Sequence, residues 1–126
     1  MFGSYSGATF MNCLTERQII FDHIKKLGLK NVCFICGDSH FSDFTEYLLD
    51  ETKNLKVREI RNSSVLSRPR NPAVSDNPYR YPNSYSGGVN NFGMVNITGN
   101  YRNYNVKYTN YTLDGEQFTY TWNLNY

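Results

Sequence analysis

At 126 residues and a formal net charge of +2, the chain suits one domain or a piece of a larger one, and its charge is too small to argue by itself for nucleic acid. No stretch approaches the roughly 18 consecutive apolar residues of a membrane span. Met1 to Gly7 lacks the basic and apolar regions of a secretory leader, so composition leaves the compartment undetermined. The three cysteines, Cys13, Cys33 and Cys36, are an odd number and argue against a disulfide framework.

Thr15-Glu16-Arg17-Gln18 has the form of a capping box. Ile19, Ile20, Ile24 and Leu27 follow with helical recurrence until Gly28. The pattern predicts a helix from about Glu16 to Leu27, with Ile20, Ile24 and Leu27 buried and Arg17 and Lys25 outward. Leu29-Lys30-Asn31 then leads into Val32-Cys33-Phe34-Ile35-Cys36, a short apolar run that reads as a central strand buried on both faces. Cys33-Phe34-Ile35-Cys36 is formally a Cys-x-x-Cys pair. Redox pairs sit at helix N-termini and zinc pairs on turns, so two cysteines inside a strand read as small hydrophobes. Helix followed by buried strand is half of a β-α-β unit. The Gly-, Ser- and Thr-rich residues ahead of the helix do not resemble the unit's first strand, and the reading is of a single partial domain, 1–126.

Gly37 lets the chain turn sharply as it leaves that strand. Asp38 and His40 follow at once. In open α/β sheets ligands gather at the carboxyl ends of strands, and a carboxylate with an imidazole offers an oxygen and a nitrogen to a divalent or trivalent ion. Spaced i and i+2, the two side chains share one side if the chain stays extended. The plain alternative is a turn-capping aspartate beside a hydrogen-bonded histidine. Two ligands do not make a metal site.

Phe44 to Leu49 and Leu55 to Ile60 read as strands around a polar turn at Asp50 to Asn54. The segment 67–91 holds all four prolines (Pro69, Pro72, Pro78, Pro82) and the Gly87-Gly88 pair, and predicts a long irregular loop, which in a compact domain is functional or disordered. It carries Arg68, Arg70 and Arg80, interleaved with Tyr79, Tyr81 and Tyr85. Phe92 to Thr98, Tyr104 to Leu113 and Gln117 to Leu124 predict an antiparallel meander, with Gly99-Asn100 and Asp114-Gly115 as turns. In the last strand Phe118, Tyr120, Trp122 and Leu124 alternate with polar residues, a stripe that reads as sheet packing.

In this order the pieces resemble the C-terminal part of the PhoD-like alkaline phosphatases and phosphodiesterases, a branch of the calcineurin-like metallophosphoesterases. The likeness is carried by Gly3-Ser4-Tyr5-Ser6-Gly7, Glu16-Arg17, Leu27 to Asn31, the strand Val32 to Cys36 and Gly37-Asp38-Ser39-His40-Phe41. It continues through Ile60 to Leu66, Asn71-Pro72 or Asn77-Pro78, Asn91-Phe92-Gly93-Met94-Val95 and the hairpin at Asp114-Gly115. The resemblance implies an α/β (α+β) fold, the later portion of a β-sandwich flanked by helices. It also implies that His40 is a late metal ligand with Asp38 its acidic neighbour. The ions would be Fe, Ca, Zn or Mn, weakly held by this chain alone, and the substrate a phosphate mono- or diester. The family's opening Asp-x-Trp stands here as Gly3-Ser4-Tyr5, without its carboxylate, and the earlier ligands have no counterpart in the chain. Family members are often exported.

Three functional readings follow from these residues. The first is a segment of a metallophosphoesterase, inert alone and completed by a second polypeptide carrying the other ligands, with Arg68, Arg70 and Arg80 as phosphate contacts. The second is a structural or assembly protein reusing a β-rich fragment. The third is single-stranded nucleic-acid binding through the Arg and Tyr residues of the proline-rich segment, against which the modest charge argues.

Overall fold

The computed structural model describes residues 12–71 and 77–125. Gly3 to Gly7 and Pro72 of the sequence comparison lie outside them. The described chain is one helix, α1 (Leu14–Leu27), followed by seven strands: β1 (Val32–Cys36), β2 (Ser42–Asp50), β3 (Leu55–Arg61), β4 (Arg80–Ser86), β5 (Asn91–Asn100), β6 (Asn103–Thr112) and β7 (Gly115–Asn125). They make three layers of an α+β fold rich in strand. The helix covers one face of a mixed four-stranded sheet ordered β1-β3-β2-β4, and the antiparallel meander β5-β6-β7 covers the other.

The helix begins two residues ahead of the expected start, at Leu14 instead of Glu16. Arg17 N–H donates to the Cys13 carbonyl at 3.0 Å, so Cys13 is the N-cap, without a side-chain cap bond, and Thr15 is already helical. Glu16 in the first turn and Lys25 and Lys26 in the last complement the helix dipole. Gly28 adopts φ 60°, and Leu29 N–H reaches back to the Ile24 carbonyl at 3.0 Å, the bond that closes a helix through a left-handed residue. Phe21 and Ile24 are buried against Leu49 and Val57, with Ile20, Val32, Phe34 and Tyr47 around them. Leu27, expected inside, is 62% exposed in the last turn, and Phe21 fills the core position instead.

Strand β1 runs parallel to β3, and β3 and β2 form an antiparallel hairpin. The expectation that β1 is central is corrected: among the described residues it is the edge strand, and Ile35 is 71% exposed. The interior positions belong to β3 and β2, each paired on both sides. In β3 the charged residues Arg58, Glu59 and Arg61 hide the apolar signature that β1 displays. Cys33 and Cys36, three residues apart on a pleated strand, point to opposite faces, which removes any Cys-x-x-Cys chemistry; all three cysteines are free thiols.

The segment 67–91 is also less irregular than expected, because Arg80–Ser86 pairs with β2 as the other edge of the sheet. Pro82, which has no N–H to give, is tolerated on an edge. The meander matches expectation, with its turns displaced: Tyr101 and Arg102 link β5 to β6, and Leu113 and Asp114 link β6 to β7. A Cβ at Gly93 would stand 2.7 Å from the Tyr108 ring and 3.0 Å from Asn62 Cγ, so the close approach of these side chains requires glycine there.

Two truncations separate the observed layers from the expected ones. Ile24→Ala removes a side chain that is 5% exposed and is expected to cost about 2–4 kcal/mol. Ile35→Ala is expected to change stability by no more than about 0.5 kcal/mol. Chemical denaturation of both variants measures the contrast.

Candidate functional site

The loop after β1 is held by the segment after β3. Asn62 N–H donates to the Cys36 carbonyl at 2.9 Å. His40 N–H donates to Ser63 Oγ at 2.6 Å, and His40 Nδ1 meets the Arg68 carbonyl at 2.8 Å. A carbonyl can only accept, so Nδ1 carries the proton. Arg70 N–H donates to the His40 carbonyl at 2.7 Å, and Gly88 N–H to the Arg70 carbonyl at 2.9 Å. The imidazole and both polar main-chain groups of His40 are thus bound to residues 63–70.

The chain is not extended here, as a shared side for Asp38 and His40 would require. Asp38 and His40 adopt φ 63° and 62°, and Ser39 N–H closes a tight turn on the Gly37 carbonyl at 2.8 Å. Left-handed backbone disfavours residues with a Cβ, and a pair of non-glycine residues in it is the kind of strain that clusters at functional loops. Asp38 is exposed and His40 partly buried.

The three arginines part company. Arg68 and Arg70 come alongside His40 through their main chains. Arg80 is drawn to Asp43 instead, with Nε 3.1 Å from Asp43 Oδ2, and lies 4.5 Å over the Tyr85 ring. The tyrosines of the same segment lay one side on neighbouring rings, Tyr79 on Tyr47, Tyr81 on Phe44 and Tyr120, and Tyr85 on Phe41, while Tyr79 and Tyr81 stay exposed.

Beneath this loop, on the helix-facing side of the sheet, lies an ionic cluster that the sequence reading missed. Asp43 and Glu59 are fully buried and Arg61 nearly so. Arg61 Nε is 3.7 Å from Asp43 Oδ1, and its Nη2 is 3.7 Å from Glu59 Oε1. Asn77 Nδ2 donates to Asp43 Oδ2 at 3.1 Å and to Thr45 Oγ1 at 2.8 Å. The Arg61 guanidinium sits 5.1 Å from the centre of the Phe41 ring, and Cys36 Sγ donates to Glu59 Oε1 at 3.2 Å. The available signal was the period of two in Lys56-Val57-Arg58-Glu59-Ile60-Arg61: Glu59 and Arg61 share the parity of buried Val57. On the meander side of the sheet Ser42, Asn62, Asn91 and Tyr108 form a second network, and burial pushes the Tyr108 phenol up.

Among the described residues no group of three or more His, Cys, Asp and Glu side chains is gathered to hold a metal ion. Asp38 and His40 are a carboxylate and an imidazole of the right chemistry, and a complete coordination shell needs further donors. Comparison of the chain with family models, curated proteins and solved structures finds no match.

Two expectations follow from this geometry. Asp43→Ala leaves buried guanidinium groups without their central carboxylate and is expected to destabilise by on the order of 3–5 kcal/mol, read as a fall in the urea midpoint. Burial raises the Cys33 thiol to about 11, and burial with the Glu59 charge raises Cys36 to about 12. Since the thiolate is the nucleophile, iodoacetamide at pH 8 is expected to modify Cys13 alone until the fold is opened. The proton held by each buried thiol stabilises the fold fully below the ordinary cysteine range, and this contribution is lost as pH rises through 11 to 12. Peptide mass mapping after alkylation, repeated at rising pH, checks both statements.

Proposed function

We propose that the chain is the C-terminal part of a PhoD-like metallophosphoesterase of the calcineurin-like superfamily, a later portion of its helix-flanked β-sandwich, with Asp38 and His40 as late ligands of the metal centre. The observation that carries the reading is the His40 ring. Its Nδ1 proton is given to the Arg68 carbonyl at 2.8 Å, the arrangement that orients a ligating histidine and leaves Nε2 for the metal. The left-handed turn at the carboxyl end of β1 supports it, as does the order of the motifs.

When bound, the metal would polarise a phosphoryl oxygen and lower the pKa of a bound water. The chain's own residues hold and aim: Ser63, Arg68 and Arg70 fix His40, and the side chains of Arg68 and Arg70 lie near enough in sequence to these anchors to receive an anionic oxygen. Arg80 serves Asp43. A second polypeptide, or another part of the protein, supplies the remaining ligands, so this chain alone binds metal weakly and turns over negligibly.

Paramagnetic broadening by Mn²⁺ tests the ligand assignment. The His40 ring protons and the Asp38 amide are expected to broaden first, and His40→Ala to abolish the effect, while an aryl phosphodiester is not hydrolysed. Broadening elsewhere with His40 untouched would reject the ligand role, and robust hydrolysis by the isolated chain would reject the incomplete centre.

A further inference from the structure

The parallel strands β1 and β3 begin side by side at the end of the sheet away from His40, whose loop follows the last residue of β1. Both are entered through a left-handed asparagine, Asn31 at φ 70° and Asn54 at φ 48°, a backbone that asparagine tolerates better than most residues. The register sets Val32 against Val57, which brings Asn31 level with Lys56. Between these two entries and β7 lies a cleft of about 260 Å³ lined by Lys30, Asn31, Asn54, Lys56, Arg58 and Asn123. Among the described residues its lining has three cations, three amides and no carboxylate.

Glu46, on the neighbouring strand β2, holds two of the cations from behind. Lys56 Nζ donates to its Oε1 at 2.8 Å, and Arg58 Nη2 lies 3.0 Å from its Oε2. One carboxylate against three cations leaves two positive charges, as many as the net charge of the whole chain. The Arg58 side chain is only 12% exposed, and its guanidinium lies 5.4 Å over the Trp122 ring. Its Nε is buried and has no hydrogen-bond partner among the described residues. A buried donor left unpaired costs free energy that an acceptor in the cleft would restore. Asn123 Oδ1 accepts from Asn105 Nδ2 at 3.0 Å, which leaves its own Nδ2 to donate.

We propose that this cleft binds a diphosphate group, either as inorganic pyrophosphate or carried by a nucleoside. Its volume is that of about nine waters at liquid density, space for two linked phosphates and more than one would fill. Tetrahedral phosphate oxygens accept from several directions at once, which suits two ammonium groups on separate elements, a guanidinium and three amides better than a planar carboxylate would. Glu46 positions Lys56 and Arg58, and exposed Lys30, on the link after α1, completes the charge. The Trp122 ring is taken by Arg58 and Phe44, so the lining offers no aromatic face to a base and the diphosphate itself supplies the recognition. The cleft and the loop of His40 stand at opposite ends of β1, and the proposal is independent of phosphoryl chemistry there.

Trp122 is the only tryptophan of the chain, and its contact with Arg58 makes its fluorescence the readout, with titration calorimetry beside it. In the presence of a chelator, so that no metal draws phosphate to His40, pyrophosphate is expected to bind saturably and to change the Trp122 emission, and ADP to match it. Orthophosphate is expected to bind at least about tenfold more weakly. Lys30→Glu, a substitution on the surface that leaves the melting profile unchanged, is expected to weaken pyrophosphate by about tenfold, the loss of one charge-assisted hydrogen bond. Absence of saturable pyrophosphate binding by both methods, orthophosphate binding as tight as pyrophosphate, or an affinity untouched by Lys30→Glu would overturn the proposal. So would binding lost on His40→Ala, or binding of ADP or a single-stranded oligonucleotide where pyrophosphate does not bind.

Discussion

Phe44 joins the two halves of the molecule. Its ring stacks on Tyr120 and contacts Tyr108, Trp122 and Tyr81, so one side chain of β2 meets three residues of the meander and one of β4. An antiparallel three-stranded meander has one face to bury, and a mixed sheet already covered by a helix has the other. The aromatic contact at Phe44 lets each satisfy its neighbour. Gly93 opens room for Tyr108, and Arg58 lies 5.4 Å over Trp122 while pairing with Glu46, which closes the layer toward the start of β3.

On the opposite face the sheet is divided. Near the α1 side it is apolar, with Phe21, Ile24, Leu49 and Val57; toward the loop of His40 it becomes ionic, with Asp43, Glu59, Arg61 and Arg80. Buried ion pairs contribute little net stability, because desolvation offsets their attraction, yet they are demanding about geometry. The cluster ties the last residues of β1 and β3 to the first residues of β2 and to β4. That is the end of the sheet from which Asp38 and His40 project, so its rigidity is passed to the candidate site through Cys36, Phe41 and Arg61.

Much of this was legible in the sequence. The helix, the β2–β3 hairpin and the meander announce themselves through period and turn residues, and the stripe Phe118, Tyr120, Trp122 packs as its alternation implied. The place of β1 was not legible, because an unbroken apolar run signals burial on both faces and an uncovered apolar edge looks the same. β3 misled in the opposite sense: charged residues that pair with one another inside the fold resemble residues facing water. β4 was hidden by Pro82, which excludes a central strand and permits an edge. At the candidate site the order Gly37-Asp38-Ser39-His40 was readable, whereas the binding of His40 by residues 63–70 depends on bringing together segments nearly thirty positions apart.

The pairing pattern has a consequence for how the chain acquires its shape. Every ladder of the meander joins strands that follow one another, closing at Asn100 with Asn103 and at Thr112 with Gly115, so it nucleates through short loops with little entropy to overcome. The other sheet must bring Asp43 to Tyr85 and Val32 to Val57, closures over far longer stretches. Local hairpins form in microseconds, a speed open both to the meander and to the β2–β3 hairpin that closes at Asp50 with Leu55, whereas seating β1 and β4 has to wait on the longer closures. Because the meander follows the first sheet along the chain, Phe44 gains its partners Tyr108, Tyr120 and Trp122 only once synthesis has passed the whole of that sheet, and its aromatic face is open until then.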